Sequence, residues 1–329
     1  MRMLYCLGTL ILATLLALCL GDSYLNPGQA ITGALGISDS YTNLIVQTLR
    51  LPRILLALVA GAAFGLAGCL LQTLTRNPLA SPDVIGLSQM ANVGALVFLV
   101  LFSTAGGTLW FPVYYQPVPA IIGALLAGST LYLLSMRKTV DIYRFILIGI
   151  GINALAQSFV TLLIMLTNKR AAQAQVWITG SVHNAEYYQV GILSLIVGLI
   201  TLIVLYNQRN YEVYKLGRDS SVGLGSPYGR VAILTLLLIS ILLGFAVSFV
   251  GGIQFVGLIA PQIAARLVGM KFNRQLIASS LIGSTLVIIS DLLGRTLFLP
   301  LEIPAGVFTA SIGAPFFMYL IFKRRQLKS

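Results

Sequence analysis

The chain has 329 residues, of which 57% are hydrophobic and only 9% are charged. Soluble globular domains carry about 25% charged residues, so this composition excludes an ordinary soluble domain. Apolar runs of roughly 20 residues, each long enough to cross the hydrocarbon core of a bilayer, recur along the whole chain. The composition therefore predicts an all-α integral membrane protein, with residues 1–329 forming a single transmembrane domain.

Ten apolar segments are predicted to cross the membrane. The first, residues 4–21, follows Arg2 like the apolar region of a signal peptide, but it is long and no Ala-x-Ala site follows, so we expect a retained helix. The eighth is short and contains Pro261, which predicts a tilted or interrupted helix. The nine segments after the first are residues 54–74, 84–104, 118–136, 144–166, 189–206, 231–250, 253–269 (the eighth), 275–297 and 305–322.

The distribution of basic residues predicts the orientation of these segments. With both termini inside, only five of the 21 lysines and arginines fall on the outer side, namely Arg50, Arg53, Lys169, Arg170 and Arg295. Positive charge concentrates on the cytoplasmic side of membrane proteins. We therefore expect an even number of spans with cytoplasmic N- and C-termini. The same distribution explains the net charge of +12 without nucleic acid as a partner.

The sequence contains no recognisable catalytic motif. It has no G-x-x-x-x-G-K-[ST] phosphate loop, no H-E-x-x-H zinc motif and a single histidine, His183. We therefore expect no enzymatic activity, no cofactor and no metal site, and ATP could be hydrolysed only by a partner chain. Asp291 is the only ionisable residue expected near the membrane interior, and Arg295, four residues further on, can pair with it.

Five segments carry proline, glycine and polar residues where a plain membrane helix would not. They are Arg50–Arg53 (RLPR), Arg76–Gly86 (RNPLASPDVIG), Leu216–Gly225 (LGRDSSVGLG), Gly252–Gln262 (GIQFVGLIAPQ) and Glu302–Pro315 (EIPAG through IGAP). In this order and spacing they resemble the FecCD family, the ten-helix permease subunits of ABC importers for ferric siderophores, haem and vitamin B12. The resemblance extends from about residue 45 to about residue 322.

The resemblance implies three kinds of partner. They are cytoplasmic ATP-binding subunits, a second permease subunit that is identical or homologous, and a periplasmic or lipid-anchored substrate-binding protein. It also implies that Arg50, Arg53 and Arg295 receive glutamates of the binding protein, and anchoring to lipid headgroups is the alternative. The expected location is the cytoplasmic (inner) membrane of a bacterium.

The longest inner loop, about residues 207–230, resembles the segment that docks into the ATPase subunit. A solvated inner loop is the alternative. The family usually has alanine where Ser221 stands. The residues that the resemblance assigns to ATPase coupling are Leu216, Gly217, Arg218, Ser221, Leu224 and Gly225.

The predicted pathway residues come from two motifs and one helix. Asn77 and Leu79 resemble residues at the cytoplasmic gate of the family, and Ile142 and Tyr143 occupy the other gate position. Three further polar residues recur at four-residue spacing on a predicted helix that lines the pathway in the family, and this spacing places them on one face. Hydrogen bonds between helices would explain this stripe equally well. The three residues are Asn153, Gln157 and Thr161.

The substrate is expected to be a ferric siderophore, because the inner turn RNPLASPD looks most like that of iron-chelate members. Haem, vitamin B12 and an oxyanion stay open as substrates within the same architecture. A stand-alone secondary transporter is the alternative from another class. It would need ionisable groups near the middle of the membrane, and the sequence is poor in them.

Overall fold

The computed structural model describes residues 2–102, 110–135, 141–166 and 171–326, and these residues form helices and turns without a β-strand among them. A π-helical segment, Ile45–Arg50, leads directly into α4, and a 3₁₀ turn, Val113–Tyr115, precedes α6. In chain order the helices are α1 (Arg2–Cys19), α2 (Pro27–Ala34), α3 (Ser40–Leu44), α4 (Leu51–Thr75), α5 (Leu87–Leu101), α6 (Pro117–Ser135), α7 (Ile142–Leu166), α8 (Ala171–Thr179), α9 (Tyr187–Tyr206), α10 (Gln208–Tyr214), α11 (Arg218–Gly223), α12 (Tyr228–Val250), α13 (Val256–Val268), α14 (Phe272–Thr296) and α15 (Ala305–Gln326).

Within the described ranges, seven helical segments are long and apolar enough to cross a membrane. They are α1, the continuous helical stretch Ser40–Thr75 that ends with α4, and helices α6, α7, α9, α12 and α14. Three shorter apolar helices, Leu87–Leu101, Val256–Val268 and Ala305–Leu320, lie where the other three crossings are predicted. Each of the ten predicted segments therefore overlaps an apolar helix, and the crossing of the three short ones stays a prediction.

Helix α4 is the centre of the bundle. It packs against α9, α12, α13 and α14, and 89% of the apolar window of Ser40–Thr75 is buried, against 17% for α9. Helices α7 and α9 leave most of their apolar surface uncovered by the rest of the chain. In a membrane protein such surface faces lipid or another subunit.

Glycines in α4 let neighbouring helices approach it closely. A methyl group added at Gly65 would collide with the backbone of Ser279 in α14. One added at Gly68 would collide with the backbone of Gly257 in α13. Close backbone contact at glycine is the usual way in which helices associate in lipid, because dispersion contacts replace the hydrophobic driving force there.

Two non-helical segments, residues 76–86 and 251–255, meet beside α4. Helix α4 ends at the left-handed Arg76, and the chain then folds back along the helix, so that the side-chain amide of Gln72 donates to Ala80 O at 3.3 Å. The same amide group donates to Leu258 O at 3.3 Å, in the first turn of α13. Irregular backbone at membrane depth is tolerated where it is buried in protein or lines a cavity. This meeting point therefore positions the polar cavity described below.

Candidate functional site

The three arginines predicted to dock a partner lie around one pocket, although the sequence places them on two distant helices. The start of α4 and the end of α14 pack together and bring them to the same end of the bundle. The pocket has a volume of about 610 Å³. We name it the arginine pocket after its three arginines. Its charged and titratable lining residues are Asp22, Tyr41, Arg50, Arg53, His183, Arg295 and Glu302.

Arg53 is engaged by two carboxylates of its own chain. Its Nε and Nη2 donate to Asp291 at 2.9–3.0 Å, and its Nη1 lies 2.9 Å from Glu302 Oε2. The side chain of Asp291 is 4% exposed and that of Glu302 is 39% exposed. A bidentate pair of this kind is strong because both hydrogen bonds are charge-assisted and their directions are fixed. Arg53 is therefore bound tightly by the buried Asp291 and more weakly by the partly exposed Glu302.

Glu302 links Arg53 to the only histidine of the chain. His183 Nδ1 lies 2.8 Å from Glu302 Oε2. Burial raises the pKa of Glu302, but the neighbouring Arg53 and His183 outweigh burial, so that its pKa lies below the usual value for glutamate. The carboxylate therefore stays ionised through the physiological range, and it can be exchanged for another carboxylate without a change in protonation.

Arg50 and Arg295 are also engaged inside the chain, because both donate hydrogen bonds to backbone carbonyls at the C-terminal end of α1. Arg50 is 5% exposed and its Nη1 donates to Leu18 O at 2.5 Å and to Cys19 O at 3.2 Å. Arg295 is 6% exposed and donates to Ala17 O. The predicted pair of Arg295 with Asp291 is present only as a long contact of 3.9 Å, since Asp291 faces Arg53.

A second cavity, of about 360 Å³, lies where the two non-helical segments meet α7. It brings together Leu79, Asn153 and Gln157 from the predicted pathway residues. Side-chain amides dominate its polar lining, and Asn153 Oδ1 is buried without a hydrogen-bond partner among the described residues. We name this space the polar cavity, and its other polar and aromatic lining residues are Ser81, Asp83, Gln89, Gln254, Phe255 and Phe317.

Among the described residues, four of the predicted pathway residues do not line the polar cavity. Asn77 caps the turn after α4 by accepting a hydrogen bond from Leu79 N at 3.0 Å. Thr161 donates to Gln157 O of its own helix at 3.0 Å. Ile142 and Tyr143 form the first turn of α7, where Tyr143 is 85% exposed. The gate and pathway roles of all seven residues stay predictions.

The predicted coupling loop, residues 207–230, is anchored by stacked aromatic rings. Tyr214 stacks on Tyr228 with 4.1 Å between ring centroids, and its hydroxyl donates to Leu74 O at the end of α4 at 3.2 Å. Tyr211 stacks on Phe272 at 4.6 Å, at the start of α14. Burial raises the pKa of both Tyr211 and Tyr214. The loop is thus fixed to the ends of two central helices.

The other side of the coupling loop is uncovered and exposes two leucines beside polar residues. Leu216 and Leu224 are 60% and 66% exposed, and they flank the short helix α11. Gly217 and Gly225 have the positive φ values, 98° and 76°, that a side chain would make unfavourable. Ser221 is fully buried, and its hydroxyl donates to Val213 O at 2.7 Å, which satisfies the polar atom where the family usually has alanine.

Asp83 is the residue that the sequence analysis missed. That Asp291 is the only ionisable group near the membrane interior stays a prediction, but Asp83 is a further carboxylate, and it lies in the wall of the polar cavity. Its Oδ2 accepts hydrogen bonds from Phe255 N and from Ser81 Oγ, both at 3.1 Å. The sequence shows an aspartate directly after Pro82 in the inner turn. No local pattern, however, indicates that this turn folds back along α4 and so brings Asp83 into the cavity wall.

Apolar helices long enough to cross a membrane, a cavity lined by amides and a charged pocket at one end fit a polytopic membrane protein of the transport class. The sequence model of the FecCD transport family matches residues 9–323. The chain belongs to this family.

Relatives with similar sequences match nearly the whole chain. It is 42% identical over 308 residues to the Probable siderophore transport system permease protein YfhA of Bacillus subtilis (strain 168), covering 93% of this chain and 90% of that protein. It is 37% identical over 319 residues to the Achromobactin transport system permease protein CbrC of Dickeya dadantii (strain 3937), covering 96% and 90%. It is 35% identical over 318 residues to the Fe(3+)-citrate import system permease protein YfmE of Bacillus subtilis (strain 168), covering 96% and 93%.

A solved structure has the same fold. The inward-facing conformation of a transporter assigned to the metal-chelate ABC type superposes with a TM-score of 0.83 at 26% identity, covering 98% of both chains. The protein is therefore homologous to ABC transporter permease subunits, which are transport components rather than enzymes. Membership of this class implies ATP-binding and substrate-binding partners in general.

Proposed function

We propose that this protein is the permease subunit through which a ferric siderophore crosses the cytoplasmic membrane of a bacterium, driven by ATP that a partner subunit hydrolyses. The observation that carries the proposal is the 42% identity, over 93% of the chain, with the Probable siderophore transport system permease protein YfhA. The names of two further relatives specify achromobactin and ferric citrate, which supports an iron chelate as the cargo. The chain itself performs no chemistry.

The proposed topology has ten spans, one transmembrane domain over residues 1–329, and both termini in the cytoplasm. The overlap of ten apolar helices with the ten predicted segments supports it. The distribution of lysine and arginine supports the orientation. In this topology the arginine pocket faces outward and the coupling loop faces the cytoplasm.

The arginine pocket is the proposed docking point of a periplasmic or lipid-anchored binding protein. Arg50, Arg53 and Arg295 converge there from two helical segments, and the exposed Glu302 occupies a position from which a partner carboxylate could bind Arg53. Exchange of one carboxylate for another costs little desolvation, because the arginine is paired before and after docking. Charges at the rim of an interface mainly set encounter rate and register.

The coupling loop is the proposed contact with the cytoplasmic ATP-binding subunit. The exposed leucines Leu216 and Leu224 provide apolar area for an interface, and Arg218 beside them is also exposed. The stacked Tyr211 and Tyr214 connect the loop to α14 and to the end of α4. Movement of the ATPase subunits would therefore be transmitted to the helices around the polar cavity.

A second permease subunit, identical or homologous, is proposed to complete the pathway. Only 22% of the apolar window of α7 is buried within the chain, and the same helix contributes Asn153 and Gln157 to the polar cavity. A partner that packs against α7 would cover apolar side chains such as Leu147 and Phe159, which are 70% and 53% exposed. The cavity would then lie near the subunit interface.

Uptake of ⁵⁵Fe tests the proposal. Cells with and without the gene are supplied with ferric citrate, a ferric hydroxamate and a ferric catecholate. Loss of uptake of one chelate, restored by the gene only when an intact ATPase partner is present, supports the proposal and excludes a secondary transporter. If every chelate enters both strains equally, an iron-chelate cargo is contradicted, and haem, cobalamin and oxyanions become the substrates to measure.

A further inference from the structure

Asp83 is a carboxylate in the wall of the polar cavity that neither partner docking nor the predicted gate explains. It lies near the first turn of α13, where Gly257 packs against Gly68 inside α4. Among the described residues, no lysine, arginine or histidine forms an ion pair with it. Burying a carboxylate without a counter-charge is costly unless hydrogen bonds compensate it.

The hydrogen bonds of Asp83 show what the carboxylate does locally. Its Oδ2 accepts from the backbone N–H of Phe255, 172 residues further along the chain. Phe255 has φ 66° and ψ −19°, a left-handed conformation that a residue with a Cβ seldom adopts. In the part of the chain that the structure describes, this N–H has no backbone acceptor. The carboxylate therefore satisfies the N–H of a strained residue.

The N-terminal end of helix α13 stabilises the negative charge of Asp83, as a nearby cation would. Phe255 is the N-cap residue of this helix, which runs for 13 residues. The N-terminal end of a helix carries partial positive charge and stabilises a nearby carboxylate. Ser81 Oγ donates a second hydrogen bond at 3.1 Å. Asp83 thus joins the turn between α4 and α5 to the beginning of α13.

We propose that Asp83 is a positioning residue for transport, whose carboxylate holds the left-handed turn at Phe255 and keeps both non-helical segments together in the wall of the polar cavity. Any rearrangement of the helices around this cavity then moves the two segments as one unit. The role does not depend on which cargo passes. It therefore goes beyond the proposed function, and its first test needs no substrate.

The first test measures amide hydrogen exchange across residues 251–258 in the purified full-length permease. With Asp83→Ala, which removes the acceptor, exchange is expected to be at least about tenfold faster than in the wild type, as for loss of a hydrogen bond to a charged group. Asp83→Asn keeps an acceptor oxygen and should exchange nearly like the wild type. The matched control is Asp39→Ala, because Asp39 also accepts a backbone N–H, from Thr42 at 3.1 Å, but is exposed and does not line the cavity.

Equal exchange in the wild type and in Asp83→Ala would overturn the proposal. If Asp83→Ala does not yield folded permease, hydrogen exchange in the wild type tests the proposal instead. A freely exchanging Phe255 amide in the wild type would show that Asp83 does not hold the turn. Protection of this amide in both the wild type and Asp83→Asn would support the proposal.

The second test measures transport by the complex with its ATPase. Asp83→Ala should lower ⁵⁵Fe-chelate uptake per ATP hydrolysed at least about tenfold, whereas Asp83→Asn should retain it, because an acceptor for the Phe255 N–H is enough to hold the turn. Wild-type transport by Asp83→Ala, or loss of transport by Asp83→Asn with a protected turn, would contradict the positioning role. If the wild type takes up no iron chelate, the proposed function fails, and hydrogen exchange still decides the role of Asp83.

Discussion

Arg53 and Asp291 form a bidentate ion pair across 238 residues of sequence, with N–O distances of 2.9–3.0 Å. The pair joins the first turn of α4 to the last turns of α14, and these two helices form the most extensive contact of the bundle. Both side chains are largely buried, at 11% and 4% exposure. The pair therefore ties the core of the bundle to the pocket that is proposed to receive a binding protein.

Removing one member of this pair should destabilise the protein strongly. Asp291→Asn leaves the buried guanidinium of Arg53 without its main counter-charge, and breaking a buried pair from one side costs about 3–5 kcal/mol. We expect a clearly lower thermal midpoint of the purified permease. The control is Glu302→Gln, which removes the exposed partner of the same arginine and should cost at most about 1 kcal/mol. An Asp291→Asn protein as stable as the wild type would show that Arg53 is compensated elsewhere.

Glu302 should compete with the binding protein for Arg53. Glu302→Gln frees one face of the guanidinium, so the affinity of the binding protein at low salt should rise severalfold, while Arg53→Glu should weaken docking and reduce its salt dependence. Surface plasmon resonance with permease in nanodiscs measures both. Asp39→Asn makes the same change in charge outside the arginine pocket and should have no effect. Unchanged affinity in both Arg53→Glu and Glu302→Gln would reject the docking role of this arginine.

The sequence indicated the helices well because each apolar run carries its own signal. It also placed Asn153 and Gln157 on one face, since helical spacing is local. It could not show that Asp291 pairs with Arg53, because pattern arguments reach only the neighbours on one helix, here Arg295. The position of Asp83 could not be predicted for the same reason, because its backbone partner lies far away in the sequence. The folding back of residues 76–86 depends on the contact of Gln72 with α13, which no local pattern encodes.

Acidic substitutions on the coupling loop should separate the ATPase subunit from an intact permease. Leu216→Asp and Leu224→Asp change residues that are 60% and 66% exposed, so the fold of the permease should tolerate them, whereas an apolar interface would not. We expect loss of ATPase co-purification with normal membrane insertion. Leu35→Asp is the matched control, because Leu35 is also 66% exposed but lies at the opposite end of the bundle in the proposed topology. Co-purification at the wild-type level would refute the assignment of this loop.

The amides of the polar cavity should contribute to passage of the cargo and little to stability. Asn153→Leu and Gln157→Leu replace side chains that line the cavity, and Asn153 Oδ1 has no partner among the described residues, so these changes leave no bonded group orphaned. We expect uptake of the ⁵⁵Fe chelate to fall at least about tenfold, equal to about 1.4 kcal/mol in the transport barrier, with an unchanged thermal midpoint. Ser158→Ala on the same helix removes a hydroxyl that donates only to Ala154 O, at 3.0 Å, and should leave uptake intact. A fall in stability without a fall in uptake would instead show that the polar stripe holds helices together, which is the alternative that the spacing of these residues allows.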